Sequence, residues 1–125
     1  MARAVNLNRE AYDVYIGRAG KGQDGYFGNP IPLMDYRNYT ERTRVIEQYA
    51  DYFSNRIATD VEFVNRILAL RGKRLGCFCK PLPCHGDMIA LWIENATCSK
   101  CKNPATVAIN SLPHVKMLCH NCKGD

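Results

Sequence analysis

The sequence has no hydrophobic run long enough to span a bilayer, and Met1–Asn6 lacks the apolar segment of a secretory signal peptide. We therefore expect no membrane partner and a cytoplasmic location. It also has no internal repeat, which excludes a repeat architecture. Disulfides are rare in a reducing compartment, so clustered cysteines there are more often metal ligands or functional thiols.

The chain carries no strong charge of either sign. Its 125 residues have a formal net charge of +5, and four thiolates around a divalent zinc ion would contribute −2, leaving +3. This balance permits contact with nucleotide or nucleic-acid phosphates without requiring it. A hydrophobic content of 46% is enough for one core, so global disorder is excluded. The length suits one modest domain with a small appendage.

Hydrophobic periodicity predicts a layered α/β domain in which strands alternate with helices. The second helix is expected to begin at Thr59 or Asp60, with Thr59-x-x-Glu62 as a capping box. An additional edge strand is expected around Ala4–Asn8, because two strands alone make a poor sheet. The other predicted elements are a strand at Tyr12–Ile16, a helix at Thr40–Arg56, a strand at Arg74–Cys79 and a helix at Gly86–Glu94. The apolar stripe of the first of these helices is predicted at Val45, Ile46, Tyr49, Tyr52 and Phe53, with its tyrosines as core residues.

Four cysteines near the end of the chain predict a structural metal site. Cys98-x2-Cys101 and Cys119-x2-Cys122 have the spacing of paired knuckles that hold one tetrahedral zinc ion. The residues between the pairs suggest a hairpin, and the arrangement resembles a zinc ribbon. So short a segment cannot bury enough apolar surface to fold alone, so metal binding would supply its folding free energy. We place an α/β domain at residues 1–95 and the ribbon at residues 96–125.

A second chemical cluster, Cys77-x-Cys79-x4-Cys84-His85-Gly86-Asp87, leaves three interpretations open. Cys77, Cys79, Cys84 and His85 could bind a second metal. Alternatively, the cluster could line a ligand pocket at the start of a helix, where free amides attract anions. In the third interpretation these residues are purely structural, with the strand cysteines acting as small buried hydrophobic residues.

The cluster also carries a family resemblance. Tyr15-Ile16-Gly17-Arg18, Gly28-Asn29-Pro30, Leu70–Lys73 and Gly76 to Asp87 together resemble a domain family of unassigned function that is common in bacteriophages and bacteria. The resemblance covers about residues 11 to 94. It implies a small Rossmann-like domain whose marked residues gather in one site, in a bacterial or phage-infected cell. The glycine-rich loop between Arg18 and Gly28 and the appended ribbon depart from the family pattern.

Two functions follow as hypotheses. The first is a site for a nucleotide or nucleotide-derived ligand, with or without hydrolase or transferase activity. Its expected ligand-binding residues are Gly17, Arg18, Gly28, Asn29, His85 and Gly86, and its expected catalytic residues are Cys84 and Asp87. The second is an adaptor whose ribbon binds nucleic acid or a protein of the transcription or translation machinery through lysines such as Lys100 and Lys102.

Overall fold

A computed structural model describes residues 2–17, 25–28, 30, 39–77, 85–111 and 114–123 of the chain. The described elements form a mixed α/β fold with one parallel sheet and one hairpin. In chain order they are β1 (Arg3–Asn6), β2 (Val14–Tyr15), α1 (Tyr39–Thr59), α2 (Val61–Leu68), β3 (Arg74–Cys77), α3 (His85–Asn95), β4 (Val107–Ser111), β5 (His114–Leu118) and α4 (His120–Lys123).

The parallel sheet has β3 in its centre, between β1 and β2. Ala4 lies opposite Leu75 on one side, and Val14 lies opposite Leu75 on the other. The predicted edge strand is confirmed. Because both pairings are parallel, the carboxyl ends of the three strands share one edge of the sheet. The strand predicted at Tyr12–Ile16 is shorter in the structure, because only Val14–Tyr15 pairs with β3.

The connection between β1 and β2 crosses the sheet without a helix. It leaves β1 at Asn6 and reaches the start of β3 by Asp13, whose amide donates to the carbonyl of Arg74 at 2.8 Å. Within this connection the ring of Tyr12 lies over Gly76. A Cβ atom added at residue 76 would be 2.7 Å from two atoms of that ring. Glycine is therefore required at that point. Parallel strands are usually joined by longer helical crossovers, so the expected Rossmann-like description stays a prediction.

Helices cover the face of the sheet opposite Tyr12. Leu75 and Cys77 of β3 point into a buried cluster with residues of α1, α2 and α3, so this cluster is the main core. The predicted apolar stripe of α1 is confirmed at Val45, Tyr49 and Phe53, which are at most 3% exposed. The main core contains Ala2, Ile16, Tyr49, Phe53, Phe63, Ile67, Leu70, Leu75, Cys77, Ile89 and Ile93.

The predicted capping box at the start of α2 is wrong. The N-cap is Asp60, whose Oδ1 accepts from the amide of Phe63 at 3.1 Å. Thr59 is the last residue of α1, and its hydroxyl donates back to the carbonyl of Asn55 at 2.8 Å. A carboxylate at an N-cap satisfies a free amide and also favours the positive end of the helix dipole, so Asp60 is the better cap.

Arg56, near the end of α1, fixes the turn that contains Gly28. Its guanidinium lies 4.0 Å from the ring centre of Phe63 and 4.8 Å from that of Tyr26. It also donates to Asp60 at 3.1 Å and to the carbonyl of Tyr26 at 3.4 Å. Cation–π contacts and hydrogen bonds therefore attach the Gly25–Gly28 turn to the corner between the two helices.

The C-terminal part of the chain is a hairpin with a cysteine cluster, and we call residues 96–123 the cysteine hairpin. The predicted antiparallel pairing is confirmed, with Val107 opposite Leu118 and Ser111 opposite His114. Val64 and Leu68 of α2 share a second buried cluster with Ala96, Ala105 and Ala108. This second cluster draws on both sides of the proposed boundary at residue 95, and the division into two domains stays a prediction.

Asp13 gives a test of the register between β2 and β3. Its carboxylate accepts from the side chain of Arg74 at 3.1 and 3.2 Å and from the Arg74 backbone amide at 2.7 Å. These bonds lower the pKa of Asp13 from 3.8 to about 2. Because the folded pKa is the lower one, the ionised carboxylate stabilises the fold above 3.8, and this contribution disappears as the pH falls from about 4 to about 2.

We expect an NMR titration of the Asp13 carboxyl carbon to have its midpoint at about 2. The stability difference between the wild-type protein and Asp13→Asn should shrink over the same pH interval, since the neutral amide cannot titrate. A midpoint at 3.8, with an unchanged stability difference, would contradict the ion pair.

Candidate functional site

The four cysteines of the cysteine hairpin form one compact cluster. The sulfur atoms of Cys98, Cys101, Cys119 and Cys122 all lie within 4.8 Å of one another. Cys101 and Cys119 approach to 3.4 Å between their sulfurs. Cys98 and Cys119 are buried, Cys122 is half-buried and Cys101 is exposed. The cluster can hold a metal ion near the surface of the protein, in agreement with the predicted set of ligands.

Backbone hydrogen bonds shape the first cysteine pair into a tight turn. The amide of Cys98 donates to the carbonyl of Asn103 at 2.7 Å, and the amide of Lys102 donates to the carbonyl of Cys98 at 3.0 Å. The amide of Lys100 points at the sulfur of Cys98 from 3.4 Å. Lys102 has a φ of 67°, a left-handed conformation that favours glycine. The turn therefore accepts local backbone strain to bring both sulfurs to the same side.

The second cysteine pair lies at the end of the hairpin, where Cys119 comes directly before α4 and Cys122 lies within it. The amide of Ser99 donates to the carbonyl of Met117 at 3.0 Å, and the amide of Thr106 donates to that of Leu118 at 2.9 Å. These two bonds join the segment that carries the first cysteine pair to the end of β5, directly before the second pair. Both cysteine pairs are consequently fixed relative to each other by the backbone as well as by any bound ion.

The pKa values within the cluster differ between the two cysteines of each pair. Desolvation raises the pKa of Cys98, but hydrogen bonds from the amides of Cys101, Cys119 and Lys100 outweigh it and lower the pKa to about 6. Hydrogen bonds to the sulfurs of Cys119 and Cys101, together with desolvation, raise the pKa of Cys122 to about 12. Four thiolates this close repel one another, and a divalent cation would remove that repulsion. The donor set therefore fits a metal ion.

A second candidate site lies at the carboxyl edge of the parallel sheet. The Nε2 atom of His85, in the first turn of α3, lies 2.8 Å from the carbonyl oxygen of Ile16. A carbonyl can only accept, so Nε2 carries the proton in this contact. The ring of His85 meets the ring of Tyr49 edge-on, with 5.0 Å between their centres, and the Tyr49 hydroxyl donates to the carbonyl of Phe27 at 3.2 Å. We call these four residues the His85 network.

The His85 network brings several predicted ligand-binding residues together. Gly17 follows Ile16, Gly28 follows Phe27, and Gly86 follows His85 in the chain. The structure therefore places Gly17, Gly28, His85 and Gly86 around one edge of the sheet. His85 and Gly86 are both buried. His85 is only 7% exposed, so it is part of the interior and not a surface ligand.

The other predicted site residues fall into two groups. Asp87 is exposed in the first turn of α3, and Cys77 is buried in the main core at the end of β3. The burial of Cys77 agrees with the interpretation that treats this cysteine as a small hydrophobic residue. The remaining predicted site residues, Arg18, Asn29, Cys79 and Cys84, lie outside the described residues. The second metal site therefore stays a prediction.

Two tyrosines contribute to this edge that sequence reasoning did not assign to it. Tyr49 was predicted only as a core residue, but its hydroxyl and ring connect Phe27 with His85. The ring of Tyr15 lies directly over Gly17, where a Cβ would collide with it. A Tyr-x-Gly spacing at the end of a strand is compatible with this stacking, since residues two apart share a face. The sequence has no signal for the Tyr49 contacts, which span 22 and 36 positions.

Residues 1–95 match the family described as domain of unknown function DUF4326. The chain belongs to this family. It is also 36% identical over 90 residues to an uncharacterised 12.4 kDa protein from the nrdA–td intergenic region of Enterobacteria phage T4, covering 72% of this chain and 75% of the phage protein. No solved structure matches. The resemblance to a family of unknown function with phage members is confirmed, while the particular residue pattern stays a prediction.

Within the described part of the chain, none of the helices is both long enough and apolar enough to cross a membrane.

We expect His85→Ala to destabilise the protein by about 2–4 kcal/mol, because it removes a buried ring and leaves the Ile16 carbonyl without its donor. Glu94→Ala, at an exposed position of the same helix, is the control and should change stability by less than about 0.5 kcal/mol. Urea unfolding followed by circular dichroism measures both. Equal stabilities for the two variants would show that the His85 network does not hold this edge together.

Proposed function

We propose that the four cysteines bind one zinc ion and that the carboxyl edge of the parallel sheet binds a nucleotide or nucleotide-derived ligand. The sulfur cluster carries the first half of the proposal. Four thiolates at tetrahedral positions, with metal–sulfur bonds of about 2.3 Å, are the usual environment of structural zinc. A closed set of four sulfurs leaves no open position for catalysis, so the ion supplies folding free energy.

Metal analysis of protein purified without added metal tests the zinc site. We expect one zinc ion per chain, and we expect Cys101→Ser to lose it because the cluster then has three sulfurs. Cys77→Ala is the matched control, since it removes a cysteine that is buried in the main core. Unchanged zinc in Cys101→Ser would refute the site. Two zinc ions in the wild-type protein, with one lost in Cys77→Ala, would instead support the second metal site.

The His85 network supports the second half of the proposal. It gathers Gly17, Gly28 and Gly86 at the carboxyl edge, where open parallel sheets commonly bind ligands. The first turn of α3 also places the positive end of its helix dipole at this edge, which favours an anionic group such as a phosphate. A small Rossmann-like layer, although its first connection is atypical, would present the ligand in this position.

The residues proposed to act on the ligand are the sequence neighbours of the described ones. Arg18 follows Gly17, Asn29 follows Gly28, and Cys84 comes directly before His85. Arg18 would pair with a phosphate, and Asn29 would hydrogen-bond to the ligand. In a hydrolase or transferase, Cys84 would serve as a nucleophile and Asp87 as an acid or base. A protein that only sequesters the ligand would use the same pocket without the last two roles.

We expect a nucleotide or nucleoside diphosphate derivative to raise the melting temperature of the wild-type protein in a screen that includes mononucleotides and dinucleotides. Arg18→Ala should weaken binding by roughly tenfold to a hundredfold, the value of one charge-assisted contact to a phosphate. Arg3→Ala, at the start of β1 and therefore at the opposite edge of the sheet, is the control and should bind normally.

Two further variants separate binding from reaction. If the bound compound is turned over, Cys84→Ala or Asp87→Asn should abolish the reaction while leaving the melting temperature of the protein without ligand unchanged. Normal turnover in both variants would remove these two residues from the mechanism. Failure of every nucleotide in the screen to bind would refute the ligand class.

The alternative function, an adaptor that binds nucleic acid or a protein of the transcription or translation machinery, draws support from Lys100 and Lys102. Both lysines are exposed in the first cysteine turn. The apolar side of the cysteine hairpin, however, is covered by α2. A hairpin that is covered on one side has less surface for a protein partner, so the ligand site is the function that we favour.

A further inference from the structure

The cysteine hairpin is packed against α2 through the second buried cluster. Val64 and Leu68 of α2 are 0% and 4% exposed, and Ala105 and Ala108 of the hairpin are 0% and 4% exposed. Trp92 of α3 packs at the border of the same cluster. The hairpin therefore buries one stripe of α2, which is a helix of the α/β part of the protein.

Asn65 of α2 makes this contact specific. Its side-chain amide accepts from the amide of Ala108 at 2.8 Å and donates to the carbonyl of Ala108 at 3.0 Å. One side chain therefore satisfies both backbone groups of one residue on the open edge of β4, as a neighbouring strand would. Arg71, after α2, adds a bond to the carbonyl of Ala105 at 3.0 Å. The interface therefore contains hydrogen-bonded polar groups as well as packed apolar side chains.

An adjacent stripe of α2 faces the candidate ligand site. Phe63 packs against Tyr26 and Phe27, with ring centres 5.9 and 6.5 Å apart. The backbone carbonyl of Phe27 in turn accepts a hydrogen bond from the hydroxyl of Tyr49, which belongs to the His85 network. One helix of eight residues therefore touches the cysteine hairpin on one side and the turn that contains Gly28 on the other. Such a short helix is not stable by itself, so its order depends on both contacts.

We propose that metal binding to the cysteine hairpin controls the order of α2 and, through it, of the Gly25–Gly28 turn, with Asn65 as the coupling residue. The inference rests on the metal site proposed above. Without the ion, the hairpin is too small to stay folded. Its loss uncovers Val64 and Leu68 and removes both partners of the Asn65 amide. The same change weakens the packing of Phe63 against the turn.

Hydrogen exchange measured by mass spectrometry on the full chain tests the proposal. Zinc-loaded protein is compared with protein stripped by a chelator under reducing conditions, and zinc is measured in the same samples. We expect stripping to increase exchange in residues 61–68 and 25–28 as well as in residues 98–122. An increase confined to residues 98–122 would overturn the coupling while leaving the metal site intact. A chain that takes up no zinc would overturn both proposals.

Asn65→Ala tests the coupling residue in the zinc-loaded protein. We expect it to retain its zinc while exchange in residues 61–68 becomes roughly tenfold to a hundredfold faster, as follows from the loss of two hydrogen bonds. Asn65→Asp, which keeps the acceptor for the Ala108 amide, should show a smaller increase. Asn95→Ala is the control, because its side chain donates to the carbonyl of Leu91 in the same helix at 3.1 Å. If residues 61–68 of Asn65→Ala exchange at the wild-type rate, Asn65 is not the coupling residue and that part of the proposal is wrong.

Discussion

Helix α2 is buried along two adjacent stripes, and both parts of the protein depend on this arrangement. Phe63 and Ile67 lie in the main core, while Val64 and Leu68 lie in the cluster under the cysteine hairpin, all at 4% exposure or less. In a helix, residues one position apart point about 100° from each other, so the two pairs form separate stripes. The remaining face of the helix, which carries Glu62 and Arg66, is exposed. The main core and the cysteine hairpin therefore each cover one stripe of a short amphipathic helix.

The candidate ligand site depends on contacts that are distant in the chain. His85 and Ile16 are separated by 69 positions, yet one hydrogen bond of 2.8 Å joins them. Phe27 is held by Tyr49 from α1 and by aromatic contacts with α2. No strand or helix creates this site by itself. The sheet supplies the edge, α3 supplies His85, and α1 and α2 determine where the glycine-containing turn lies.

Much of the fold could be predicted from local patterns, because the residues that define each element are neighbours in the sequence. The stripe of α1, the hairpin and the spacing of the four cysteines are of this kind. The contacts between elements were not predictable in the same way. Nothing in the sequence indicates that Asn65 pairs with Ala108, 43 positions away. Likewise, Thr59 and Asp60 both suit an N-cap, and the choice depends on where α1 ends.

The two-residue strand β2 shows a different limit of local prediction. Alternating β-forming residues from Tyr12 to Ile16 predicted a longer strand. In the structure Tyr12 instead folds over Gly76, and Asp13 pairs with Arg74. The connection from β1 must cross β3 before β2 can begin. Because this connection is short, Tyr12 and Asp13 are used for the crossing and are not part of β2. The length of β2 is therefore set by the topology of the sheet, which the residues of β2 do not encode.

The extent of the family match bears on why the cysteine hairpin exists. Residues 1–95 match the family, so Val64, Asn65 and Leu68 belong to the matched part while most of their cover does not. An α/β domain with these residues and no hairpin would expose a connected apolar stripe on α2, which favours aggregation. The apolar stripe and the hairpin are therefore one structural feature divided between two parts of the chain. A metal ion at the four cysteines, by holding the hairpin folded, would act on the part of the protein that contains the candidate site and not only on its own ligands.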